Sequence, residues 1–445
     1  MTERRRYEIE QPYVPEALAK LRERSLAIDS QLCVGIDIHP DNIQDPKYYL
    51  AHNQRVIEAT SGRATAFKFQ MAGYLAMGSE GIAVLEKSVE VARAVNPNAL
   101  LIIDGKFNDI GVSLAYYAQF AYDHLGADAV TANPFLGQDA NEPVIRRSEK
   151  LVYFLGRTSN PGAQEFQGLN VDGREMSTYI ASRIEEVWAQ NRNVGLVVGA
   201  TVDPHVIGQM REAAPNLPFL MPGLGAQGAS TEQFVYPART SDPGSMLVNV
   251  SREITSAQDP GALAVYWANE IKKGPRRRIV NMLADAGCIE LGDFTLASGV
   301  KSNIYVDVRR LSSRPDLLNK VAEAMNKNLS GAHYDVIATI PTGGLPLASI
   351  MAISSDKPMV YIRKESKGYG TKSLIEGGVD VAGKKVLLVD DVISSGGSKM
   401  QAIEELRKNG AQVEHIGVVV DRREQGGEDF MDLNVHSLIE MSDIL

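Results

Sequence analysis

The chain runs to 445 residues, 44% hydrophobic and 23% charged, with a formal net charge of −9. That length exceeds what one ordinary core organises, so two domains are expected, and the acidic balance offers no electrostatic footprint for nucleic acid or an anionic membrane. Two distant cysteines, Cys33 and Cys288, give no disulfide framework and suit a cytoplasmic protein; the lack of a HExxH or Cys/His cluster, of an apolar signal core in the opening MTERRRYEIEQ and of any span-length apolar run argues against zinc, secretion and a bilayer.

In chain order, apolar runs rich in β-formers recur at Leu32–Ile38, Thr65–Phe69, Ala99–Asp104, Asp128–Ala132, Leu151–Gly156, Val194–Gly199, Pro218–Met221 and Met246–Val250. Segments between them, such as Gly81–Val95, Val112–Leu125 and Arg174–Gln190, have helical period and length. Strand and helix alternating over about 250 residues indicate a (β/α)8 TIM barrel, with a doubly wound open sheet as the rival. A barrel carries its chemistry at the C-terminal ends of its strands and binds phosphate after strands seven and eight. The residues found there suit that rule. Strand one ends in Asp37, strand two carries Lys68, and strand three runs into Asp104-Gly-Lys106 with Asp109 following. Alternating acid, base and acid at a strand end is destabilising unless the charges are paired or used. After strand five comes Arg157-Thr-Ser-Asn-Pro-Gly162, after strand seven Pro222-Gly-Leu-Gly-Ala-Gln-Gly228, and after strand eight Ser251-Arg252. Glycines let backbone N–H groups close on an anion, and an arginine supplies a forked, charge-assisted bond.

Together, Asp37, Lys68, Asp104-x-Lys106-x-x-Asp109-Ile110, Thr158-Ser159-Asn160-Pro161-Gly162, Pro222-Gly-x-Gly-Ala-Gln227 and Ser251-Arg252 resemble orotidine 5′-monophosphate decarboxylase over the whole first domain. The resemblance implies an alternating charged tetrad of Lys68, Asp104, Lys106 and Asp109. It also implies that Asp109 is lent by the neighbouring subunit of a dimer, with Ser113 beside it reaching the ribose. Asp37 and Lys68 would hold ribose hydroxyls, Thr158 and Ser159 the pyrimidine, and Gln227 and Arg252 the phosphate, with Ser251 also binding the substrate. No cofactor is implied for this half. His39 and His124 read as structural or solvent-facing, and Tyr116-Tyr117 as packing rather than cofactor stacking.

Gly261–Lys273 reads as the last barrel helix, and Gly274-Pro275 as a breaker that divides the chain into domains 1–274 and 275–445. The short run Arg276-Arg277-Arg278 reads as a solvated helix start. Further on, Tyr334–Ile340 is a strand leading to Pro341-Thr-Gly-Gly344. Lys385–Ser398, KVLLVDDVISSGGS, is an apolar strand, two acids and a small-residue turn opening the helix Lys399–Lys408. Such a turn offers N–H groups and hydroxyls to a phosphate, and Asp390 and Asp391 suit sugar hydroxyls or the waters around Mg2+.

That stretch resembles the PRPP-binding motif of phosphoribosyltransferases. Phe294-Thr-Leu-Ala-Ser-Gly-Val-Lys-Ser302 resembles the hood of orotate phosphoribosyltransferase, Ile362-Arg-Lys-Glu-Ser-Lys-Gly-Tyr-Gly-Thr371 its catalytic loop, and Asp421-Arg422 its orotate contact. The expected architecture is a Rossmann-like parallel sheet with a hood, the type I phosphoribosyltransferase fold. By resemblance, Lys301 lies near base and PRPP, Arg363, Lys364 and Lys367 neutralise pyrophosphate, and Lys364 and Lys367 are catalytic. Tyr369 stands where bacterial relatives carry histidine. Ser394, Ser395, Gly396, Gly397 and Ser398 cradle phosphate, and Arg422 pairs with the orotate carboxylate. Mg2+ is expected through PRPP near Asp390 and Asp391, with no direct protein ligands. The chain as a whole resembles the bifunctional UMP synthases, decarboxylase first. Orotate, PRPP and orotidylate are the implied substrates, and a homodimer or homotetramer with shared sites the implied assembly. The rival readings are a decarboxylase whose second domain only senses PRPP, and a sugar-phosphate decarboxylase or aldolase on a similar barrel.

Overall fold

The computed structural model describes residues 13–38, 45–224, 231–240, 242–295, 301–363, 374–394, 396–423, 430 and 432–444. The chain divides into two compact units, Met1–Gly274 and Pro275–Leu445.

In the first unit, eight parallel strands close into a barrel: β1 (Leu32–Gly35), β2 (Ala66–Gln70), β3 (Leu100–Phe107), β4 (Ala129–Ala132), β5 (Leu151–Arg157), β6 (Val194–Val198), β7 (Phe219–Pro222) and β8 (Met246–Val250). Each strand pairs with its sequence neighbours, and β8 closes on β1 through Leu32–Val248 and Val34–Val250. Side chains alternate along a strand. One parity, with Cys33, Ala66, Leu100, Ile102, Ala129, Tyr153, Leu220 and Leu247, fills the interior. The other, with Val34, Phe67, Leu101, Val130, Phe154 and Val248, packs under the helices. Burying each larger side chain contributes about 1.5–3 kcal/mol. An amphipathic helix at Glu16–Ala27, not anticipated from sequence, adds Ala17, Leu18 and Leu21 to the interior cluster. Its Ala17 N–H donates to the Glu149 carbonyl just before β5, which sets it at the N-terminal end of the strands. The opposite end is left for function.

Several boundaries differ from the periodicity. β3 continues through Asp104 and Lys106 to Phe107, because a register shift against β4 between Ile103 and Phe107 absorbs the polar residues into a bulge. The helix expected over Val112–Leu125 is α-helical only at Gly111–Ala118 and widens into a π-turn at Gln119–His124. Arg174–Glu175 is not helical but pairs with Asn170–Val171 in a small hairpin, and the helix starts at Met176. Gly274-Pro275 marks the division between the units but does not end a helix: one helix runs from Pro260 to Asp285. Gly274 serves close packing there, since a Cβ would lie 2.9 Å from the Thr231 carbonyl oxygen. Proline forfeits one helical hydrogen bond. The turn beyond it is secured by Arg276, which is paired with Glu440 (2.9 Å) and Asp443 (3.1 Å) rather than solvated.

In the second unit, β9 (Ile289–Thr295) and β10 (Lys301–Val306) form an antiparallel hairpin. A six-stranded sheet follows: β11 (Val336–Thr339), β12 (Met359–Ile362), β13 (Ile375–Glu376), β14 (Lys385–Ile393), β15 (Gln412–Asp421) and β16 (Asn434–Glu440), in the order β13-β12-β11-β14-β15-β16. All neighbours are parallel except β12 and β13. Val386–Val389 of β14 is buried without interruption, as expected of a central parallel strand covered on both faces. The chain order reverses between β11 and β14. In open parallel sheets ligands bind at the C-terminal strand ends where the order reverses in this way.

Candidate active sites of the two units

At the C-terminal mouth of the barrel, inward parity continues from Cys33 to Asp37, from Ala66 to Lys68, and from Ile102 to Asp104 and Lys106. The Lys68 ammonium lies 2.9 Å from Asp104 Oδ2 and 3.6 Å from Asp37 Oδ1. Lys106 Nζ donates to Asp104 Oδ1 at 2.8 Å, and the Thr131 hydroxyl donates to the same oxygen at 2.7 Å. Lys68 and Asp104 are 3% and 8% exposed, so their charges persist only through this pairing. Burial opposes the charge on Asp104, but Lys68 and Lys106 outweigh it and hold the carboxyl well below its ordinary range. Burial likewise opposes the charge on Lys68, and Asp104 and Asp37 hold the ammonium above its ordinary range.

Lys106 is the outward member, its side chain 47% exposed. Its backbone is left-handed (φ 45°), a conformation costing a residue with Cβ about 1–3 kcal/mol, and its N–H is anchored to Thr131 Oγ1 at 2.9 Å. Bulge, φ and anchor together aim the ammonium at the rim.

Beside this cluster lies a cavity of about 730 Å³, lined by Asp37, Lys68, Asp104, Gly223, Asn249, Ser251 and Arg252 among others. Asn249 donates to Ser251 Oγ (3.0 Å) and accepts from buried Cys33 (3.5 Å). Burial pushes the Cys33 thiol up to about 12, so it packs rather than reacts. Thr158 and Ser159 follow β5. The Thr158 N–H donates to Gln167 (2.8 Å), and Ser159 sits against Gly199 so closely that a Cβ there would lie 2.9 Å from the serine Cβ. Asp109 and Ser113 are not brought to the cluster. The Asp109 carboxylate accepts the Ile110 N–H (2.8 Å), on a segment that exposes Ile110, Val112 and Tyr116. Tyr117 packs on Phe107, whereas Tyr116 is exposed rather than packed. Gln227 lies outside the described residues. Thr131 and Asn249 were not singled out from sequence, although strand parity points both inward.

In the second unit, Asp390 and Asp391 end the apolar part of β14 and lie over Pro341-Thr-Gly-Gly344. A Cβ on Gly343 would displace the Asp391 carboxylate, and one on Gly344 would lie 2.8 Å from Asp390 Oδ1 and 3.0 Å from the Asp390 backbone Cα, so Gly344 leaves no room for a side chain. Gly396, at φ 76°, turns the chain into the helix Gly397–Lys408, which starts two residues earlier than its periodicity suggested. Ser394, Gly396, Gly397 and Ser398 thus surround a helix N-terminus, a setting for phosphate. Asp390 is buried against Lys399 Nζ at 2.6 Å, a lysine the sequence reading passed over. Burial still pushes its carboxyl up, to about 6, with Lys399 opposing and Asp391 adding to the rise. Arg363 follows β12 and faces Glu376 (3.4 Å). Asp421, ending β15, is held by Arg423 (2.7 Å), while the Arg422 N–H donates to the Ile393 carbonyl (2.8 Å). Lys364, Lys367, Tyr369 and Ser395 lie outside the described residues, as does the side chain of Lys301. Among the described residues no group of three or more His, Cys, Asp or Glu could hold a metal ion unaided, and no helix is long and apolar enough to cross a membrane.

Residues 30–264 match the orotidine 5′-phosphate decarboxylase / HUMPS family, and residues 308–444 the phosphoribosyl transferase domain. A bifunctional enzyme PyrF/PyrE from Nostoc sp. is 29% identical over 462 residues, covering 96% of this chain and 94% of its own. The structure of Leishmania donovani UMP synthase is similar with a TM-score of 0.64 and 34% identity, over 97% of this chain and 94% of that one. The orotidine 5′-phosphate decarboxylase of Thermomicrobium roseum is 39% identical over 235 residues, 51% of this chain and 82% of its own.

Proposed function

The chain belongs to the orotidine 5′-phosphate decarboxylase / HUMPS family, and from that premise we propose that it is a bifunctional UMP synthase, decarboxylase first and orotate phosphoribosyltransferase second. It is an enzyme with both activities, catalysing the last two steps of UMP synthesis. Orotate and PRPP give orotidylate and pyrophosphate in the second unit, and orotidylate gives UMP and CO2 in the first.

The observation that carries the first reaction is the Lys68–Asp104–Lys106 cluster beside the cavity. When the bond from C6 to the carboxylate breaks, its electron pair stays on C6 and CO2 departs. The preorganised Lys106 ammonium stabilises that charge and then transfers its proton to C6. Asp104 disfavours the substrate carboxylate beside it relative to the transition state. Ser251, Arg252 and Gln227 take the phosphate, Asp37 the ribose, and Thr158 and Ser159 the base. Asp109 and Ser113 come from a second copy of the chain. The exposed Ile110, Val112 and Tyr116 around them support a homodimer or a homotetramer built from it.

In the second unit a ring nitrogen of orotate attacks C1 of the ribose while pyrophosphate leaves with the bonding pair. Asp390 and Asp391 accept from the ribose hydroxyls. The Ser394–Ser398 turn holds the 5′-phosphate, Arg422 the orotate carboxylate, and Arg363, Lys364 and Lys367 the pyrophosphate, with Lys301 and Tyr369 near it. Mg2+, when bound, neutralises the leaving group. An acid pair with no group of three such ligands among the described residues suits an ion carried in on the substrate's phosphates. Both cysteines are buried and unbridged, in keeping with a cytoplasmic enzyme.

Purified protein supplied with orotate, PRPP and Mg2+ is expected to release pyrophosphate and CO2 and to accumulate UMP. Accumulated orotidylate without UMP would remove the decarboxylase reading. Turnover of added orotidylate without consumption of orotate would leave the second unit as a PRPP sensor.

A further inference from the structure

Beneath the acid pair of the second unit a lysine is buried that the proposed chemistry leaves unused. Lys399 lies in the first turn of the helix Gly397–Lys408 and is 7% exposed. Its ammonium meets Asp390 Oδ2 at 2.6 Å. Helical side chains lean toward the N-terminus, and this lean carries the Lys399 ammonium from the first helical turn back to Asp390 on β14. Strand and helix start are thereby tied together.

Two physical effects act against a lysine there. An ammonium is destabilising in the interior unless paired, and the N-terminal end of a helix repels a cation. The same helix buries Ala402, Ile403 and Leu406, so an apolar side chain would suit the position for stability alone. The ion pair with Asp390 is what opposes both effects. Asp390 is fixed on its other oxygen too, where Oδ1 accepts the Asp391 N–H at 2.9 Å. The carboxylate has no freedom to find a ligand by rotating. Its orientation is set before one arrives.

We propose that Lys399 is a positioning residue for PRPP: its ammonium holds the Asp390 carboxylate, and with it the helix start at Gly396–Ser398, in the arrangement that receives the ribose 5-phosphate portion. This rests on reading that helix start as the PRPP site. Lys399 acts through Asp390 and the helix start, without touching the reacting atoms.

The test uses the full chain carrying Lys399→Met, Lys399→Arg or Asp390→Ala. KM for PRPP and for orotate are measured separately, and ribose 5-phosphate binding is followed by calorimetry without Mg2+. Loss of a charge-assisted contact that orients the site is expected to raise the PRPP KM and weaken ribose 5-phosphate about tenfold or more in Lys399→Met. The orotate KM and decarboxylation of added orotidylate should stay unchanged, and Lys399→Arg should fall between wild type and Met. A Lys399→Met enzyme with an unchanged PRPP KM, beside an Asp390→Ala enzyme whose KM rises, would overturn the role of Lys399 alone. An unchanged KM in both would overturn the site. Should the methionine variant not fold, Lys399→Arg decides: a several-fold rise in the PRPP KM supports the proposal, and a wild-type value ends it.

Discussion

Each unit buries an aspartate against a lysine at the end of a parallel strand, and the two pairs come out oppositely. At the barrel mouth two ammoniums, Lys68 and Lys106, converge on Asp104, and the carboxyl is driven below its ordinary range despite burial. In the second unit one ammonium, Lys399, faces Asp390 while Asp391 stands beside it, and burial wins, pushing Asp390 up to about 6. Depth does not decide the outcome, since both aspartates are nearly inaccessible. The number and sign of the neighbours do. The group left more exposed differs accordingly: the Lys106 ammonium in the barrel, which under the proposed reaction would meet a developing carbanion, and the half-buried Asp391 in the sheet, which would meet a ribose gaining positive charge.

The strongest way to break this contrast is Lys106→Ala. Removing a preorganised cation that is also the proposed proton donor should lower decarboxylation by at least about 10³-fold. The second unit would be untouched, so a reaction started from orotate and PRPP should stall with orotidylate accumulating, as chromatography of the nucleotides would show. Undiminished UMP formation would remove Lys106 from the chemistry.

Next in size is Lys68→Met, which leaves Asp104 buried with only the half-exposed Lys106. Removing one partner of a buried pair costs about 3–5 kcal/mol. Both tryptophans, Trp188 and Trp267, lie in the first unit, so their fluorescence during denaturant unfolding reports the barrel alone. A midpoint within error of wild type would mean that Lys68 adds nothing to stability.

Much of this was legible in the sequence, and the failures have physical causes. The eight barrel strands and the central β14 follow from apolar runs that no other element explains. Asp37, Lys68, Asp104, Lys106, Asp390 and Asp391 are visible because charges at the ends of such runs are conspicuous. Thr131 and Asn249 were missed because neutral polar residues inside apolar strands look like ordinary strand residues until parity is followed around the barrel. Lys399 was missed for a different reason. A lysine near a helix start reads as solvated, and only the fold shows it turned back onto Asp390. Gly274-Pro275 divides the units as read but misled as a helix breaker: the helix continues through Pro275 to Asp285, with Arg276 in the next turn ion-paired to Glu440 and Asp443.

The pH response should separate the units next. The Asp104 pKa is depressed on folding, so its stabilisation is complete above the ordinary aspartate value of about 3.9 and is lost only as pH falls through the lower folded value. The Asp390 pKa is raised. Between about 3.9 and the folded value of about 6 the folded unit holds more protons than the unfolded chain, so stability falls as pH rises through that window. Hydrogen exchange in the helix Gly397–Lys408 should therefore report weaker protection at pH 6.5 than at pH 4.5, once corrected for intrinsic rates. Tryptophan fluorescence should show no matching loss in the barrel from Asp104. Asp390→Asn should flatten the response of the helix, and an unchanged slope would place its origin elsewhere.

The smallest expected effect tests whether neutral hydrogen bonds sharpen what charge begins. Thr131 donates to Asp104 Oδ1 and accepts the N–H of Lys106, so a single hydroxyl orients both charged partners. Thr131→Val keeps the shape and removes both bonds. A net contribution of about 1–1.5 kcal/mol, realised as aim rather than affinity, corresponds to a fall of roughly tenfold in kcat with KM for orotidylate nearly constant. A rise in KM at constant kcat would instead mean that Thr131 shapes the cavity without steering the ammonium. Asp104 stays ionised in either case, because two ammoniums and not the hydroxyl dominate its pKa. The pH dependence of decarboxylation should therefore match wild type. A pH profile displaced by Thr131→Val would show that the hydroxyl shares in holding the charge, and the contrast with Asp390 would then rest on more than the count of neighbouring ions.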